Sequence, residues 1–404
     1  MSFIETSKQI DIISSNCEEI LPENELVQKI EKSKKNNIPL NIKLGCDPSR
    51  PDLHIGHSVV LNKLKQFQTL GHNIILVIGD FTAMIGDPTG RNKTRPQISL
   101  EETKDNSKTY INQVSKIIDI NKTRVVYNSS WLNKLDLGKI ISLSSHFTLA
   151  QFLERDDFNN RYKSGKPISL HEFMYPLAQA YDSVYLRSDI EIGGTDQKFN
   201  LLLARDLQRE FDIDPQIALT MPLIEGTDGK DKMSKSYDNY IAFNDTPENM
   251  YGKVLSIPDE LIIKYFNLVT NLSSKEIKDY EFDLNAGKIS PRDIKRKLAR
   301  EIVSIYYDDE SSVYAEQNFD KIFVTKTIPD DIPEIIIDND TRIIELVKNA
   351  KLADSNSEIR RLIKQGAVKI DDSVVSDINF IVNSDKEIII KIGKRKFLKV
   401  IPSK

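Results

Sequence analysis

Residues 40–78 show the pattern of a strand, a helix and a second, fully buried strand. Apolar residues alternate with other residues over 40–46, as they do in a β-strand. A helical apolar stripe over 60–67 follows and ends at Gly71. Residues 74–78 form an uninterrupted apolar run rich in branched side chains, typical of a strand buried on both faces. This order predicts a right-handed βαβ unit, and therefore an α/β fold with a parallel sheet.

The same reading extends the α/β domain to residues 1–240. Further strands are predicted over 124–127 and 218–221, and a helix over 199–207. The segment of about 130–175 is predicted to be a helical insertion. The whole domain is therefore expected to be a Rossmann-like, doubly wound parallel sheet.

Beyond this domain the pattern becomes helical over 241–326. Residues 290–293 read Ser-Pro-Arg-Asp, which combines an N-cap serine, a proline at the first helical position and an acid at the third. The acidic, proline-bearing stretch that follows is predicted to be a linker over 327–340. A separate C-terminal unit is predicted over 341–404.

Composition limits the classes of protein that remain. Apolar residues make up 39% and charged residues 29% of 404, as in soluble globular proteins. No apolar run is long enough for a membrane span, and the N-terminal residues do not have the order of a secretory signal. Cys17 and Cys46 are too few for a disulfide framework and do not form a zinc motif. The expected location is the cytoplasm.

Charge is distributed unevenly along the chain. The formal net charge is −4, yet residues 341–404 hold 14 Lys/Arg against 8 Asp/Glu, a balance of +6. The remaining residues, 1–340, therefore sum to −10. A basic end on an acidic body indicates a polyanion as partner for that end. A solvated, lysine-rich surface is the alternative.

The tetrad His-Ile-Gly-His at residues 54–57 lies where the first strand leads into the helix. Free backbone N–H groups and the helix dipole favour anions there. The rings of His54 and His57 can donate to phosphate oxygens, and Gly56 leaves room for a flat ring such as adenine to approach the backbone. Helix-capping histidines or a metal site are the alternatives, although no third metal ligand is evident.

A second motif, Lys-Met-Ser-Lys-Ser, occupies residues 232–236 in a stretch rich in glycine and charge. We expect a mobile loop whose Lys232 and Lys235 close on a triphosphate and bind the departing pyrophosphate as charge develops. A solvated loop without a catalytic role is the alternative.

The two motifs together resemble the signatures of the class I aminoacyl-tRNA synthetases. The Gly-Asp-Pro-Thr-Gly-Arg run at 86–91, the Tyr-Pro-Leu-Ala-Gln-Ala-Tyr-Asp run at 175–182 and the Gly-Gly-Thr-Asp-Gln run at 193–197 narrow the resemblance to the tyrosyl-tRNA synthetases. The resemblance covers nearly the whole chain. It implies ATP-dependent activation of L-tyrosine and its transfer to the 3′ end of tRNA(Tyr).

The resemblance also implies a role for each matching residue. Those expected to bind tyrosine are Asp87, Tyr175, Gln179, Asp182 and Gln197. Those expected to bind ATP are Gly45, Asp47, His54, Gly56, His57, Gly194, Asp196 and Lys235. Those expected to act on the phosphates are Ser49, His54, His57, Arg91, Arg95, Lys232 and Lys235. Magnesium is expected to arrive with ATP, without a metal site of the protein's own, and a homodimer is expected to form through the insertion.

Spacing supports the tyrosine-binding set independently. Tyr175, Gln179 and Asp182 follow one another at i, i+4 and i+7, so one helix face presents all three. A carboxylate and neutral acceptors suit an ammonium group, and a buried carboxylate that accepts from a phenol is left unpaired by phenylalanine. A packed polar helix face is the alternative. The chain departs from one branch of the family at Lys43, Leu44 and Asp80, and is more similar to a second bacterial branch.

The C-terminal unit resembles a small RNA-binding domain first named in a ribosomal protein. The match centres on residues 357–370, where a helix offers Arg360, Arg361 and Lys364 to phosphates and a turn at Gly366 leads to a strand. The resemblance implies a grip on the tRNA. The alternatives to a tyrosyl-tRNA synthetase are a tryptophanyl-tRNA synthetase and a catalytically silent RNA-binding relative.

Overall fold

The computed structural model describes residues 3–48, 52–89, 100–325, 332–353, 355–393 and 396–403. The chain forms two compact units, Met1–Ser312 and Val313–Lys404, which are treated separately below.

A mixed six-stranded sheet is the centre of the first unit, counting only the residues that the structure describes. Its strands are β1 (Glu19–Leu21), β2 (Asn41–Cys46), β3 (Asn73–Ile78), β4 (Thr123–Tyr127), β5 (Ile190–Gly194) and β6 (Ile217–Met221). Their order across the sheet is β1-β6-β5-β2-β3-β4. All neighbours are parallel except β1, which pairs antiparallel with β6 at one edge. The predicted parallel α/β sheet is confirmed, and β1 is an addition that the pattern did not reveal.

Helices cover the sheet and fill the insertion and the region after it. They are α1 (Thr6–Ser14), α2 (Glu23–Asn36), α3 (Ile55–Thr69), α4 (Thr82–Ile85), α5 (Leu100–Val114), α6 (Ser129–Leu132), α7 (Leu137–Ser144), α8 (Leu149–Phe152), α9 (Asp156–Lys163), α10 (Met174–Leu186), α11 (Lys198–Glu210), α12 (Pro247–Leu255), α13 (Ile262–Val269), α14 (Ser274–Asn285), α15 (Pro291–Tyr306) and α16 (Asp309–Phe319). Short 3₁₀ turns lie at Ile120–Lys122, Leu170–Phe173, Thr195–Gln197 and Asp259–Leu261, and a π turn lies at Asp320–Val324.

The sheet order creates a crevice at the carboxyl end of its middle strands. From β2 the chain runs outward through β3 to β4, and then returns to place β5 on the other side of β2. Loops after β2 and β5 therefore diverge to opposite faces and leave a cleft between them, which is where ligands bind in such sheets. The βαβ unit of β2, α3 and β3 puts the N-terminus of α3 at this cleft.

Local sequence signals explain the helical part of the first unit. Ser290 caps α15: its hydroxyl accepts from the backbone N–H of Asp293 at 3.1 Å and donates to the Asp293 carboxylate at 2.8 Å. Ile294, Leu298 and Ile302 are fully buried along one face of this helix. The predicted helical character of the insertion is confirmed by α6 to α9. No helix within the described ranges is long and apolar enough to cross a membrane.

The second unit packs two helices against a mixed sheet, and it also includes the end of α16 and the π turn. Its elements are β7 (Glu334–Ile337), β8 (Thr341–Arg342), α17 (Ile343–Asn349), α18 (Asn356–Lys364), β9 (Val368–Ile370), β10 (Ser373–Val374), β11 (Ile381–Val382), β12 (Ile388–Ile392) and β13 (Lys396–Pro402). The main sheet has the order β10-β9-β12-β13-β7. Its core includes Ile359 and Ile363 of α18 against Val368 and Ile390.

The structure corrects the predicted linker over 327–340. Residues 334–337 are not linker but β7, which pairs in parallel with β13 from Glu334 opposite Lys399 to Ile337 opposite Pro402. Ile337 is buried in the core of the second unit. Acidic residues and prolines suggested a linker, but they adjoin the short apolar run of β7. This run becomes a strand only because it pairs with β13, far along the chain.

Candidate active site

A cavity of about 260 Å³ opens in the crevice between β2 and β5. Of the residues predicted to bind substrates, its lining contains Gly45, Asp47, His57, Asp87, Tyr175, Gln179, Asp182, Gly194 and Gln197. Ser49, Arg91 and Arg95 lie outside the described residues. The remaining predicted residues of the catalytic unit are His54, Gly56, Asp196, Lys232 and Lys235, and they stand beside the cavity rather than on its lining. One cavity therefore brings together residues that are 152 positions apart in the chain, from Gly45 to Gln197.

The two histidines of the tetrad interlock at the start of α3. His54 is the N-cap residue, and its backbone N–H donates to Nδ1 of His57 at 3.2 Å. This Nδ1 also lies 3.1 Å from the carbonyl oxygen of His54. If Nδ1 accepts from this N–H, the proton of the neutral ring resides on Nε2. In that tautomer His57 has a donor left for a ligand in the cavity that it lines.

Burial keeps both rings neutral. The pKa of His57 lies at about 4, chiefly because of burial; the hydrogen bond with the His54 backbone opposes this shift, and charge repulsion from Lys232 and Lys235 adds to it. Burial is also the main reason that the pKa of His54 lies well below its usual value, with His57 and the two lysines adding to it. The pair can therefore donate hydrogen bonds at neutral pH without a full positive charge.

Gly56 is required by the packing of His54. A Cβ at this position would lie 2.9 Å from Nδ1 and 3.0 Å from Cε1 of the His54 ring, closer than real contacts allow. The rings of His54 and His57 are 4.0 Å apart between centroids, so His54 has no room to withdraw. The glycine thus shapes the histidine pair itself, besides any room that it leaves for a ligand.

The lysines of the second motif face this helix end from a loop. Lys232 forms an ion pair with Asp196, which follows β5, and Lys235 lies 3.6 Å from the carboxylate of Asp52, just before the tetrad. Between them, Met233 is 1% exposed and its N–H donates to the carbonyl of Ile224 at 2.9 Å. The loop is therefore anchored at its centre while both ammonium groups stay on the crevice side.

Asp182 is the buried carboxylate of the cavity. One of its oxygens accepts from the indole N–H of Trp131 at 2.8 Å, and the other accepts from the Asn128 amide at 3.2 Å. Burial raises the pKa of Asp182 to about 6, and Lys43, Trp131 and Asn128 oppose that rise. Each oxygen retains a lone pair for a further donor, such as a phenol in the cavity.

Asp47 and Tyr175, which also line the cavity, are hydrogen-bonded to each other. The Tyr175 hydroxyl donates to one oxygen of Asp47 at 2.9 Å, and Thr82 donates to the other at 2.7 Å. The Asn128 amide that bonds Asp182 also donates to Thr82 at 3.1 Å. A continuous hydrogen-bonded chain thus connects the residues predicted to bind tyrosine with one predicted to bind ATP.

Amide side chains connect the remaining predicted residues. Gln197 donates to Asp87 at 2.9 Å, and Asn200 donates to both Gln197 at 2.9 Å and Gln179 at 3.0 Å. Arg155, from the insertion, contacts the Asp87 carboxylate at 3.6 Å and donates to Asn200 at 3.2 Å. The Asp87 side chain is thereby held in place beside neutral acceptors, the combination that suits an ammonium ligand.

A buried ion pair forms part of the cavity lining. Lys43 and Glu191 are 0% and 1% exposed in their side chains, and their charged atoms are 3.0 Å apart. Lys43 also donates to the Ser183 hydroxyl at 2.7 Å and to the Gln179 carbonyl at 3.0 Å. Glu191 accepts from the Gln179 amide at 3.1 Å. The departure from the family pattern at Lys43 is thus compensated by a charge on a neighbouring strand.

Several functional contacts escaped the sequence analysis. Asp80, another departure from that branch, accepts from the backbone N–H of Ser129 at 2.9 Å and from its hydroxyl at 2.6 Å. These two bonds anchor the start of α6, and Trp131 of this helix donates to Asp182. Arg155, Asn200 and Glu191 were missed because nothing in their local sequence marks them. The chain's one tryptophan was the only available signal, since a buried indole needs an acceptor.

In the second unit, α18 presents the predicted basic face. Arg360, Arg361 and Lys364 are exposed, while Ile359 and Ile363 on the opposite side are buried. Ser355 caps the helix by accepting from the N–H of Glu358 at 3.2 Å. The three cations are therefore free of the core and available to a polyanion.

Within the described part of the chain, no group of three or more His, Cys, Asp or Glu side chains is arranged to hold a metal ion. A divalent cation at this site would thus need oxygen ligands from a bound substrate in addition to the protein's carboxylates.

Comparison with known proteins agrees with this geometry. Residues 34–324 match the family model described as tRNA synthetases class I (W and Y), and residues 341–388 match the S4 domain. A tyrosine–tRNA ligase of Chlorobaculum tepidum is 52% identical over 100% of this chain and 99% of its own length. One of Thermotoga maritima is 50% identical over 97% of each chain.

Solved structures support the fold. The tyrosyl-tRNA synthetase of Archaeoglobus fulgidus, solved in complex with L-tyrosine, has a TM-score of 0.64 at 22% identity and covers 76% of this chain and all of that chain. A truncated mitochondrial tyrosyl-tRNA synthetase of Aspergillus nidulans has a TM-score of 0.65 at 22% identity, over 79% of this chain and 94% of that one. With histidine tetrad, lysine loop and buried carboxylate in one crevice, and with relatives about half identical over the full length, the chain belongs to the tyrosine–tRNA ligases of the class I aminoacyl-tRNA synthetases.

Proposed function

We propose that this protein activates L-tyrosine with ATP, forming tyrosyl-adenylate and pyrophosphate, and then transfers tyrosine to the 3′ end of tRNA(Tyr). The observation that carries the proposal is the buried carboxylate of Asp182 in a cavity that also contains His57 of the tetrad. Asp182 distinguishes an amino acid that carries a phenol, and His57 marks the end of the cavity where the phosphates of ATP bind.

The amino acid binds with its phenol toward Asp182 and its ammonium toward Asp87. Asp182 accepts from the phenol, and Trp131 and Asn128 hold its oxygens in place. Phenylalanine would leave this buried carboxylate without a ligand donor, at a cost of about 1–3 kcal/mol or more for a charged group. Tyr175, Gln179 and Gln197 complete the polar surround of the ammonium and carboxylate.

ATP binds across the N-terminus of α3, with Gly45, Asp47, Gly194 and Asp196 on the adenosine side. The carboxylate of tyrosine attacks the α-phosphate and pyrophosphate leaves, so the protein supplies no nucleophile. The Nε2 proton of His57 and the ammonium groups of Lys232 and Lys235 stabilise the charge that develops on the phosphates. Phosphate oxygens would compete with Asp196 and Asp52 for these ammonium groups.

Magnesium accompanies ATP in this proposal and supplies charge neutralisation on the phosphates. Asp52 and Asp196 are each paired with a lysine of the second motif, and the described residues contain no group of three His, Cys, Asp or Glu side chains that could hold a metal ion. The ion would therefore be held chiefly by phosphate oxygens and water, as Mg²⁺ commonly is. Ser49, Arg91 and Arg95 are proposed to contact the phosphates as well.

The second unit binds tRNA, and the protein acts as a homodimer in the cytoplasm. Exposed cations on α18 support the first statement. Exposed apolar side chains on the insertion support the second: Leu137 is 72% exposed, Ile141 62% and Leu149 60%. Apolar side chains grouped on one helical segment are typical of a surface covered by a partner.

Amino-acid-dependent exchange of pyrophosphate into ATP tests the proposal. Assayed with each of the twenty amino acids, exchange should be stimulated by tyrosine and by no other to a comparable extent. Exchange driven by tryptophan instead would contradict the tyrosine assignment. Absence of any exchange, with tRNA still bound, would favour a silent RNA-binding relative.

A further inference from the structure

Asn239 is a buried amide directly behind the lysine loop. It lies three residues after the Lys-Met-Ser-Lys-Ser motif and is 2% exposed. It does not line the cavity, and the proposed reaction assigns it no role. Its side chain nevertheless forms four hydrogen bonds, every one of them to the loop over residues 228–234.

The bonds bracket the first catalytic lysine. The Asn239 amide nitrogen donates to the carbonyl oxygens of Asp231 at 3.2 Å and Lys232 at 3.4 Å. Its amide oxygen accepts from the backbone N–H of Ser234 at 2.8 Å. The backbone is thus fixed immediately before and after Met233, whose side chain is buried.

A second set of contacts ties Asn239 to the start of the loop. Its side-chain nitrogen donates to the Asp228 carboxylate at 3.0 Å, and its backbone carbonyl oxygen accepts from the backbone N–H of Thr227 at 2.8 Å. A Cβ on Gly226 would overlap the Asn239 side chain, so only glycine fits there. The loop is wrapped around this one carboxamide.

We propose that Asn239 is a positioning residue for the catalytic lysines. By fixing the loop backbone on both sides of Met233, it directs the Lys232 ammonium toward Asp196 and that of Lys235 toward the tetrad. The inference rests on the proposed function, because it assigns Asn239 to the step in which these lysines stabilise the departing pyrophosphate. A residue that only fills a buried turn is the alternative.

Asn239→Ala should slow the chemistry and spare tyrosine binding. The alanine variant removes the hydrogen-bond partner of two carbonyls, one N–H and one carboxylate of the loop. The loop backbone, and with it the position of both lysine ammonium groups, is then no longer fixed. A displacement of about 1 Å costs on the order of 100-fold in rate. We therefore expect the maximal rate of tyrosine-dependent pyrophosphate exchange to fall between about 10- and 100-fold. The dissociation constant for tyrosine should stay within about twofold, because Asn239 does not touch the cavity.

A polarity swap provides a variant that keeps the turn filled. In Asn239→Asp, a carboxylate oxygen replaces the amide nitrogen and faces the Asp228 carboxylate, so exchange should slow at least as much as in the alanine variant. Adding Asp228→Asn restores one donor–acceptor pair with reversed polarity and should recover about threefold or more of the lost rate. Asp228→Asn alone is the matched control, since its amide oxygen still accepts from Asn239.

A double-mutant cycle separates positioning from a merely structural role. If Asn239 acts through Lys232, adding Asn239→Ala to Lys232→Ala should slow exchange by less than about twofold further. Thermal unfolding of each variant, measured in parallel, identifies any loss of rate that comes from unfolding.

The outcomes distinguish a failure of the positioning role of Asn239 from a failure of the proposed function. Exchange by Asn239→Ala within twofold of wild type, or an equal loss with and without Lys232, overturns the positioning role alone. A wild-type protein without tyrosine-dependent exchange overturns the proposed function, and the role of Asn239 falls with it. A large loss in the alanine variant, recovery by the swap and non-additivity with Lys232 support it.

Discussion

Asp182 lies 3% exposed at the cavity, where Trp131 and Asn128 each donate to one of its oxygens. Burial raises the pKa of its carboxyl from the usual 3.8 to about 6. The folded protein thus binds this proton more tightly than the unfolded chain does. Below pH 6 the Asp182 carboxyl is mostly protonated in the folded protein, so the cost of burying its charge is progressively removed. Above pH 6 the ionised group costs about 3 kcal/mol of stability, from about two pH units at about 1.4 kcal/mol each.

Tyrosine activation should show the opposite pH dependence to this stability term. The carboxylate is the form that accepts from the phenol, so kcat/KM for tyrosine in pyrophosphate exchange should fall about tenfold per pH unit below pH 6. The measurement is the pH profile from 5 to 8.5, with thermal unfolding at each pH as the control for loss of structure. A flat profile through pH 6 would contradict an ionised Asp182 as the acceptor.

The Lys43–Glu191 pair gives a prediction about stability. Lys43→Met leaves Glu191 buried without its counter-charge and should lower the free energy of unfolding by about 3–5 kcal/mol. Adding Glu191→Gln should recover most of this loss, because no unpaired charge then remains. Denaturant unfolding of both variants provides the measurement. Lys34→Ala, which removes an ion pair with the exposed Glu5, is the control and should leave the free energy of unfolding nearly unchanged.

At the scale of elements, α3 and the lysine loop make complementary contributions to the site. The helix supplies a fixed end with two neutral histidines, and the loop supplies two full positive charges. Neutral donors on the rigid side avoid repulsion with the lysines that face them. The positive charge of the site is thereby concentrated on the lysine loop, beside the place where we propose that pyrophosphate leaves.

The exposed apolar side chains of the insertion give a prediction about the homodimer. Ile141→Glu in α7 would place a charge on the exposed apolar face that we propose as the dimer surface, and should convert the homodimer to a monomer at micromolar concentration. Analytical ultracentrifugation measures the change. Phe282→Glu in α14, where the replaced side chain is equally exposed at 63%, is the control and should leave the mass unchanged. A dimer that persists in the α7 variant would place the interface elsewhere.

Elements with a strong local pattern were predicted well from the sequence. The buried run over 74–78 became β3, and the capped start at 290 became α15. The edge strand β1 escaped because three residues are too short to show a period. Its pairing with β6 also depends on a segment about 200 positions away. β7 was mistaken for linker for the same reason, since its partner β13 lies more than 60 residues later.

Across the whole molecule, the separation of the catalytic cavity and the basic helix into two units gives a prediction about tRNA. Replacing Arg360, Arg361 and Lys364 together by alanine should reduce kcat/KM for tRNA charging by about 10- to 100-fold at about 0.15 M salt, and weaken its salt dependence. Pyrophosphate exchange should stay unchanged. The matched control removes three exposed lysines from the first unit, Lys8, Lys32 and Lys35, and should spare both reactions. Equal charging by the α18 variant would contradict the RNA role of this helix.

The interior of the site was only partly readable from the sequence. The resemblance supplied residues that face a substrate, such as Asp182 and Gln179. It did not supply Trp131, Arg155 or Glu191, which hold those residues from other elements. A motif identifies the side chains that contact a ligand. The residues that hold those side chains in place come from distant segments, and the periodicity of the sequence does not show which segments pack together.

The strand order of the first unit also sets an order of assembly. The unit of β2, α3 and β3 needs only contacts within about 40 residues, whereas β1 cannot find its place until β6, about 200 residues later, has been synthesised. Closing so long a loop comes late in folding, because its entropic cost must be met before the new contacts form. We therefore expect the crevice to be built before the edge of the sheet is complete, with β1 the last strand to gain protection from hydrogen exchange.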